Sequence, residues 1–422
     1  MKLISTSSRN GQAQLAELFS RRSAGYDRAL PAARRIIQSV RRGGDAALRR
    51  HALRLDRLSP QTQLRISGEE MSAATAAVPA EFRRALQAAA RNIRAFAQRQ
   101  RPKEWRFAPA PGVTVGQRVR PLDAVGCYVP GGRYPLPSTL LMTVIPAQVA
   151  GVGRIVVVSP RPAPETLAAA AMLGITEFYR IGGAQAIAAL AYGTESISPV
   201  DKIVGPGNSY VTAAKKLVAF DCAIDMLAGP TEIVITSENG NPEWIATDLV
   251  AQAEHDPDAL ALFVTTSPTL ARAVIDEVKQ QARSNTAAAE SLRRNGAAIV
   301  ARSTDEAREI TNRLAPEHLT VDSEADLAWV KCAGSVIIGP WSAQPLGDYI
   351  SGPNHTLPTC GLARARGGLS VLDFLKIITV QEYQADGVQK LGPAAIALAE
   401  AEGLRGHAEA IRRRITTRGA DE

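Results

Sequence analysis

Apolar and polar positions change rhythm three times along this chain. From residue 31 to 99 apolar residues recur at helical spacing. Residues 31–42 form one predicted helix that stops at Gly43-Gly44, residues 45–56 a second, and residues 80–99 a long alanine and arginine stripe. Then alternation takes over. Gly126–Val129, Arg154–Ser159, Glu177–Ile181 and Lys202–Val204 read as strands, with helices near 138–150, 165–173, 184–192 and 209–218 between them. A second series has strands at Glu232–Thr236, Leu260–Thr265, Ala297–Ala301 and Ser335–Ile338, with helices at 242–255, 268–283, 304–313 and 324–331. After Gly367 the pattern predicts helices again, about 370–382 and 393–414, before a polar tail. The expected fold is α/β: two tandem incomplete Rossmann-like βαβ domains, each a mostly parallel sheet, with a helical N-terminal region and a small helical C-terminal tail.

Length supports that division, because 422 residues exceed the roughly 250–300 at which one hydrophobic core stops growing. The net charge of +8 is uneven, since residues 1–106 hold 22 Lys and Arg against 8 Asp and Glu. A basic end could bind nucleic acid. Here, however, the arginines come as pairs, Arg34-Arg35, Arg41-Arg42, Arg49-Arg50 and Arg83-Arg84, between alanines and leucines, with almost no aromatic side chain for base stacking. They read as the solvated faces of helices. The uncharged window Tyr134–Gly153 carries three prolines and reads as buried structure rather than a membrane span. Arg9 follows directly on Met1–Ser8 with no apolar stretch behind it, which excludes a secretory signal. Four dispersed cysteines without C-x-x-C spacing fit a reducing cytoplasm.

Candidate chemistry gathers in a few loops. Gly205-Pro206-Gly207-Asn208 follows a strand and opens a helix at Ser209, a junction that aims backbone N–H groups at an anion. The expected ligand cleft lies at the carboxyl ends of the strands. Of five histidines, His51 sits among helical arginines and reads as surface. Gln252 and His255, three apart, should share a helix face near Pro257, and amide oxygen with imidazole nitrogen suits zinc. A helix-terminal histidine bonding carbonyls is the other reading. Gly347-Asp348-Tyr349 and Gly352-Pro353-Asn354-His355 form an aperiodic polar stretch, and polar loops are more often functional than polar core positions. Glu317 and His318 are adjacent, so they should point at different parts of a cleft and do separate acid–base work.

Eight segments in order carry a resemblance: Gly126-Cys127-Tyr128-Val129-Pro130-Gly131-Gly132, Gly182-Gly183-Ala184-Gln185-Ala186, Val204-Gly205-Pro206-Gly207-Asn208, Gln252 to Pro257, Ala315 to Leu319, Gly347-Asp348-Tyr349, Ser351 to His355, and Ala401-Glu402-Gly403-Leu404. The sequence resembles the histidinol dehydrogenases over nearly its whole length. The resemblance implies NAD-dependent, four-electron oxidation of L-histidinol to L-histidine through L-histidinaldehyde. It further implies a homodimer with shared active sites and one zinc per site held by Gln252, His255, Asp348 and His407. Glu317 and His318 correspond to the acid–base pair. Thr231, His355 and Glu402 match substrate contacts, beside His318 and the four metal ligands, and Tyr128, Gln185 and Asn208 match NAD contacts. It also implies an N-terminal arm (1–23), a first α/β domain (24–127 with 232–368), an NAD domain (128–231) and a dimer-crossing tail (369–422).

Thr231 stands where the family usually has serine, which keeps the hydroxyl and tightens the pocket by a methyl group. Oxidation of another small alcohol, such as a sulfonated diol, is the alternative within the family. A zinc hydrolase is the rival enzyme class, and salt-dependent nucleic-acid binding by the arginine-rich region the non-enzymatic rival.

Overall fold

The computed structural model describes residues 1–21, 26–131 and 135–416. Gly132 and Tyr134 of the segments above, the boundary at residues 23 and 24, and the polar tail beyond 416 lie outside them. The chain divides into two units, Met1–Gln100 with Leu122–Phe374, and Arg101–Pro121 with Leu375–Glu422. In chain order the described strands are β1 (Lys2–Ser5), β2 (Trp105–Ala110), β3 (Val113–Pro121), β4 (Ala124–Tyr128), β5 (Arg154–Val158), β6 (Glu177–Tyr179), β7 (Lys202–Val204), β8 (Ala223–Ile224), β9 (Glu232–Thr236), β10 (Leu260–Thr265), β11 (Ala297–Val300), β12 (His318–Val321), β13 (Ser335–Ile338) and β14 (Leu375–Tyr383).

The first unit holds two parallel sheets, β6-β5-β4-β7-β8 and β1-β11-β10-β9-β12-β13. With β1 set aside, both follow the order third, second, first, fourth, fifth along the chain, that of a Rossmann-like sheet lacking its last strand. The two expected βαβ arrays are therefore present. Every residue of β9 and β10 is buried, as parallel strands covered by helices on both faces require. Alternate residues serve opposite cores: Ile233, Ile235, Ala261 and Phe263 one, Val234, Leu262 and Val264 the other. Asn241, Ser267, Asn285 and Ser303 each cap a following helix with a side-chain oxygen.

Helix Leu30–Leu55 is interrupted at Gly44, whose backbone leaves the helical region (φ 46, ψ −137), so the expected stop at Gly43-Gly44 is a kink between two helical pieces. The paired arginines 34, 35, 41 and 42 lie on its exposed side, opposite buried Ala33, Ile37 and Val40. His51, expected at the surface, is 8% exposed with Nε2 3.0 Å from Ser39 Oγ. It faces the core because helical spacing from Leu48 and Ala47 puts it on the inner side. The helix Pro137–Ala150 is buried over most of its length, and no described helix is long and apolar enough to cross a membrane.

Other expectations are corrected. Residues 375–383, expected as helix, form β14, antiparallel to β3 from Leu375 opposite Pro121 to Tyr383 opposite Val113. With β2 these strands make the sheet of the second unit, β14-β3-β2. Ile377, Ile378, Thr379 and Val380 are stiff β-branched residues that suit a strand. The following helix is two, Ala385–Ala401 and Arg405–Thr416, broken where Gly403 turns left-handed (φ 77). Residues 324–328 make only a 3-10 turn. The boundary expected after Cys127 falls inside β4, which pairs throughout with β5. The expected arm supplies β1 to the edge of the six-stranded sheet. Residues 101–121 join the expected tail in the second unit.

Candidate active site

In the five-stranded sheet the order reverses between β4 and β7, and the crevice beyond their carboxyl ends is where such sheets take ligands. Tyr128 ends β4. Its phenol oxygen accepts a hydrogen bond from Gly183 N at 3.0 Å, and burial pushes its hydroxyl well above the ordinary range. Gly205 follows β7 with φ 109, and a Cβ there would come within 2.2 Å of the Tyr128 carbonyl oxygen, so only glycine lets this loop lie against β4. Asn208 caps the next helix, its Oδ1 accepting from Tyr210 N at 3.1 Å and Val211 N at 3.2 Å. Gln185 lies one turn into the helix Gly183–Tyr192 and is 1% exposed. Its Nε2 donates to Asp56 Oδ2 at 3.0 Å, while its Oε1 has no partner. Tyr128 thus touches both the Gly182-Gly183 turn that leads into Gln185 and the Gly205 loop that leads into Asn208.

The six-stranded sheet departs from the expected cleft. Its carboxyl-end crevice contains Glu238, which accepts from Thr266 N and the Thr265 and Thr266 hydroxyls. Asp322 takes the Glu238 N–H at 2.9 Å. Two carboxylates there repel a phosphate. The reactive residues gather instead at the amino ends: Thr231 directly precedes β9, and Glu317 and His318 open β12.

Ala315, in a left-handed conformation, ends the helix Thr304–Leu314 and turns the chain toward these two residues. Glu317 is 6% exposed. Its Oε2 accepts from Thr231 Oγ1 at 2.6 Å and Glu232 N at 2.7 Å, and burial pushes its carboxyl up to about 7. His318 Nδ1 stands 3.8 Å from the same Glu317 oxygen and 3.3 Å from Glu232 O. Adjacency therefore does not separate them, because both side chains turn to one cluster. His318 Nε2 is 3.3 Å from Asp348 Oδ1. Burial alone would lower this imidazole, but Glu317 and Asp348 outweigh it and hold it above its ordinary value. Both ring nitrogens face oxygen acceptors, which the doubly protonated ring satisfies. Asp348 is held low against its burial by His318. His355 Nδ1 donates to Asp348 O at 2.8 Å, and burial lowers this ring. His318, Asp348 and His355 line a cavity of about 340 Å³ with Gln344 and Trp341.

A metal would need the groups around Asp348. Gln252 donates through Nε2 to the Thr231 hydroxyl, and its buried Oε1 is left without a partner, an orphaned acceptor of the kind a cation satisfies. The helix Pro242–Ala253 ends before His255, which lies in the exposed turn after it rather than on its face, with its charge felt at His355. Among the described residues no three His, Cys, Asp or Glu side chains converge as a metal cluster. One expected ligand is an amide, and His407 belongs to the second unit. Glu402 and His407, at the break between that unit's two helices, are exposed. The donor set of amide oxygen, carboxylate and imidazole nevertheless suits a borderline ion.

Sequence reasoning missed Asp56 and Gln344. The second is 1% exposed and donates through Nε2 to Asp348 Oδ2 at 2.8 Å, leaving Oδ1 to His318. Neither had a motif signal: Asp56 acts through Gln185, 129 residues away, and Gln344 acts on Asp348, four residues on, from a stretch with no helical or strand period.

Residues 19–415 match the family model described as histidinol dehydrogenase. The chain is 44% identical to the histidinol dehydrogenase of Gluconobacter oxydans, over 98% of this chain and 99% of that one. It is 47% identical to that of Methanothermobacter thermautotrophicus, over 95% and 97%. It superposes on the crystal structure of histidinol dehydrogenase from Elizabethkingia anophelis with a TM-score of 0.93 at 35% identity, covering 100% of this chain and 99% of that one.

Proposed function

From the premise that the chain belongs to the histidinol dehydrogenase family, an NAD-linked oxidoreductase family, we propose that it completes histidine biosynthesis by oxidising L-histidinol through L-histidinaldehyde to L-histidine. The observation that carries this is the single cluster in which Gln252, Thr231, Glu317, His318 and Asp348 are joined by consecutive contacts. Taking a primary alcohol to a carboxylate removes two hydrides, so one site serves two NAD molecules in turn. Relatives named for histidinol over nearly the full length leave the sulfonated-diol alternative unfavoured, and the family sets the hydrolase reading aside.

Tyr128, Gln185 and Asn208 contact NAD in this reading. His318 exchanges the proton of the alcohol and later of the aldehyde hydrate. Glu317, poised near neutrality, activates the water that adds to the aldehyde. Thr231 and His355 contact the substrate. The Thr231 hydroxyl, donating to Glu317 and accepting from Gln252, does what the usual serine would do, so its extra methyl group leaves the bond intact. Gln252, His255, Asp348 and His407 would hold zinc, which when bound anchors the substrate's imidazole and amino nitrogens. Asp348, which faces His318 Nε2 at 3.3 Å, would be drawn to such a cation, and His318 would then be the better base. The active form is a homodimer in the reducing cytoplasm, where the free cysteines stay reduced. Glu402 and His407 reach the partner's site.

The deciding measurement is NADH formed per histidinol consumed, expected near two. A ratio near one, with aldehyde accumulating, overturns the four-electron assignment. Metal content is a separate test: purified protein should hold zinc stoichiometric with the chain, His255→Ala should lose most of it, and zinc should raise the melting temperature of stripped wild type only. Stripped protein indifferent to zinc in both melting and turnover removes the metal from the site.

A further inference from the structure

Asp56 closes the helix Leu30–Leu55 as its C-cap and is 7% exposed. Its Oδ2 accepts two hydrogen bonds, from Gly182 N at 3.1 Å and Gln185 Nε2 at 3.0 Å. Both donors are neutral amides, and burial pushes the carboxyl above its ordinary range. A carboxylate whose hydrogen bonds come from neutral amides, and whose burial outweighs the attraction of Arg161, is costly, so its effect must be sought in what it orients.

A glutamine amide can present either end to a ligand. With Nε2 turned to Asp56, the amide is oriented and Gln185 presents Oε1, the buried oxygen that has no partner. The amide lies over Gly183, where a Cβ would approach Oε1 to 2.9 Å. The two N–H groups of the Gly182-Gly183 turn are divided between Asp56 and the Tyr128 oxygen. Tyr128, accepting from Gly183, keeps its O–H to donate. The crevice is thus set to offer one acceptor and one donor, complementary to a ribose hydroxyl or a carboxamide.

We propose that Asp56 is a positioning residue for the dinucleotide, fixing the Gln185 amide so that its oxygen faces the cofactor. This rests on the reading of Tyr128 and Gln185 as NAD contacts. The other face of Asp56 carries the kinked N-terminal helix, so the same carboxylate ties that helix to the cofactor loop.

The test compares D56A, D56N, Q185A and D56A/Q185A in the intact enzyme, measuring KM for NAD, KM for histidinol and kcat. D56A should raise the NAD KM about tenfold, as loss of a charge-assisted hydrogen bond does, with the histidinol KM unchanged within about twofold. D56N, which can turn its own carbonyl oxygen toward Gly182 N and Gln185 Nε2 and accept from both without the charge, should give a smaller rise of about threefold. The double variant should be no worse for NAD than Q185A alone, because Asp56 acts through Gln185. If Q185A raises the NAD KM and neither Asp56 variant does, the positioning role falls and the NAD reading stands. If Q185A leaves the NAD KM unchanged, both fall. Equal rises in the two KM values, or a lower melting temperature with unchanged NAD KM, overturn the proposal in favour of a structural role. Should D56A not fold, D56N decides alone, an unchanged NAD KM counting against it.

Discussion

Oxidation of histidinol and of histidinaldehyde should both fall by about 10²–10⁴-fold in His318→Ala, the range general acid–base groups contribute, whereas Glu317→Gln should slow the aldehyde step far more than the alcohol step. The proton of the alcohol and the proton of the aldehyde hydrate leave by the same route, so one imidazole serves both. Only the aldehyde has first to add water, and that is the task of Glu317. The carboxyl sits near 7 because burial raises it, and the base is its ionised form. The aldehyde step should therefore rise as pH passes upward through about 7 and level off above it, and Glu317→Gln should flatten that limb. His318 opposes the rise in Glu317, so in His318→Ala the residual aldehyde activity should need a still higher pH. Stopped-flow measurement of NADH with each substrate separates the steps. Equal losses in both for Glu317→Gln would remove its assigned role.

Two inactive variants should together recover roughly a quarter of wild-type activity. In the proposed dimer each site takes His318 from one chain and His407 from the other. Unfolding and refolding His318→Ala with His407→Ala in equal amounts makes about half of the dimers mixed. Each mixed dimer then has one site with both histidines and one with neither. Were His407 to serve its own chain, every site would carry one defect and nothing would return. Confirming mixed dimers by a tag on one variant makes a dead mixture a clear refutation.

The two parallel sheets were legible because their strands are contiguous apolar runs, buried on both faces, separated by helices with visible caps. The antiparallel sheet was not. Most of β2 and β14 is exposed, so neither shows the buried run of the parallel strands, and β14 finds β3 only across the intervening residues Leu122–Phe374. Scarce histidines and polar loops marked the site, and the motif order gave roles. The amino-end location of Glu317 and His318 was hidden because β12 has only four residues and lies between the expected helices 304–313 and 324–331, where no strand was expected. Asp56 was hidden more thoroughly. It lies among arginines in a helix whose charges look solvated, and its partner Gly182 is 126 residues away.

β1 pairs with β11 through residues 295 positions apart, Lys2 opposite Ala297 and Ser5 opposite Val300, and this fixes an order of events during synthesis. The five-stranded sheet is complete in the chain by Ile224 and can close early. The six-stranded sheet is complete only with Ile338, and β1 must wait for its partner near residue 300, roughly 15–60 s after it emerges at about 5–20 residues per second. Throughout that interval Leu3 and Ile4 remain unpaired, a short apolar segment for a chaperone to hold. The covering strand is nevertheless already outside the ribosome when β11 arrives. The outer edge of β11 can therefore be taken at once by its own chain, before a neighbouring nascent chain can pair with it.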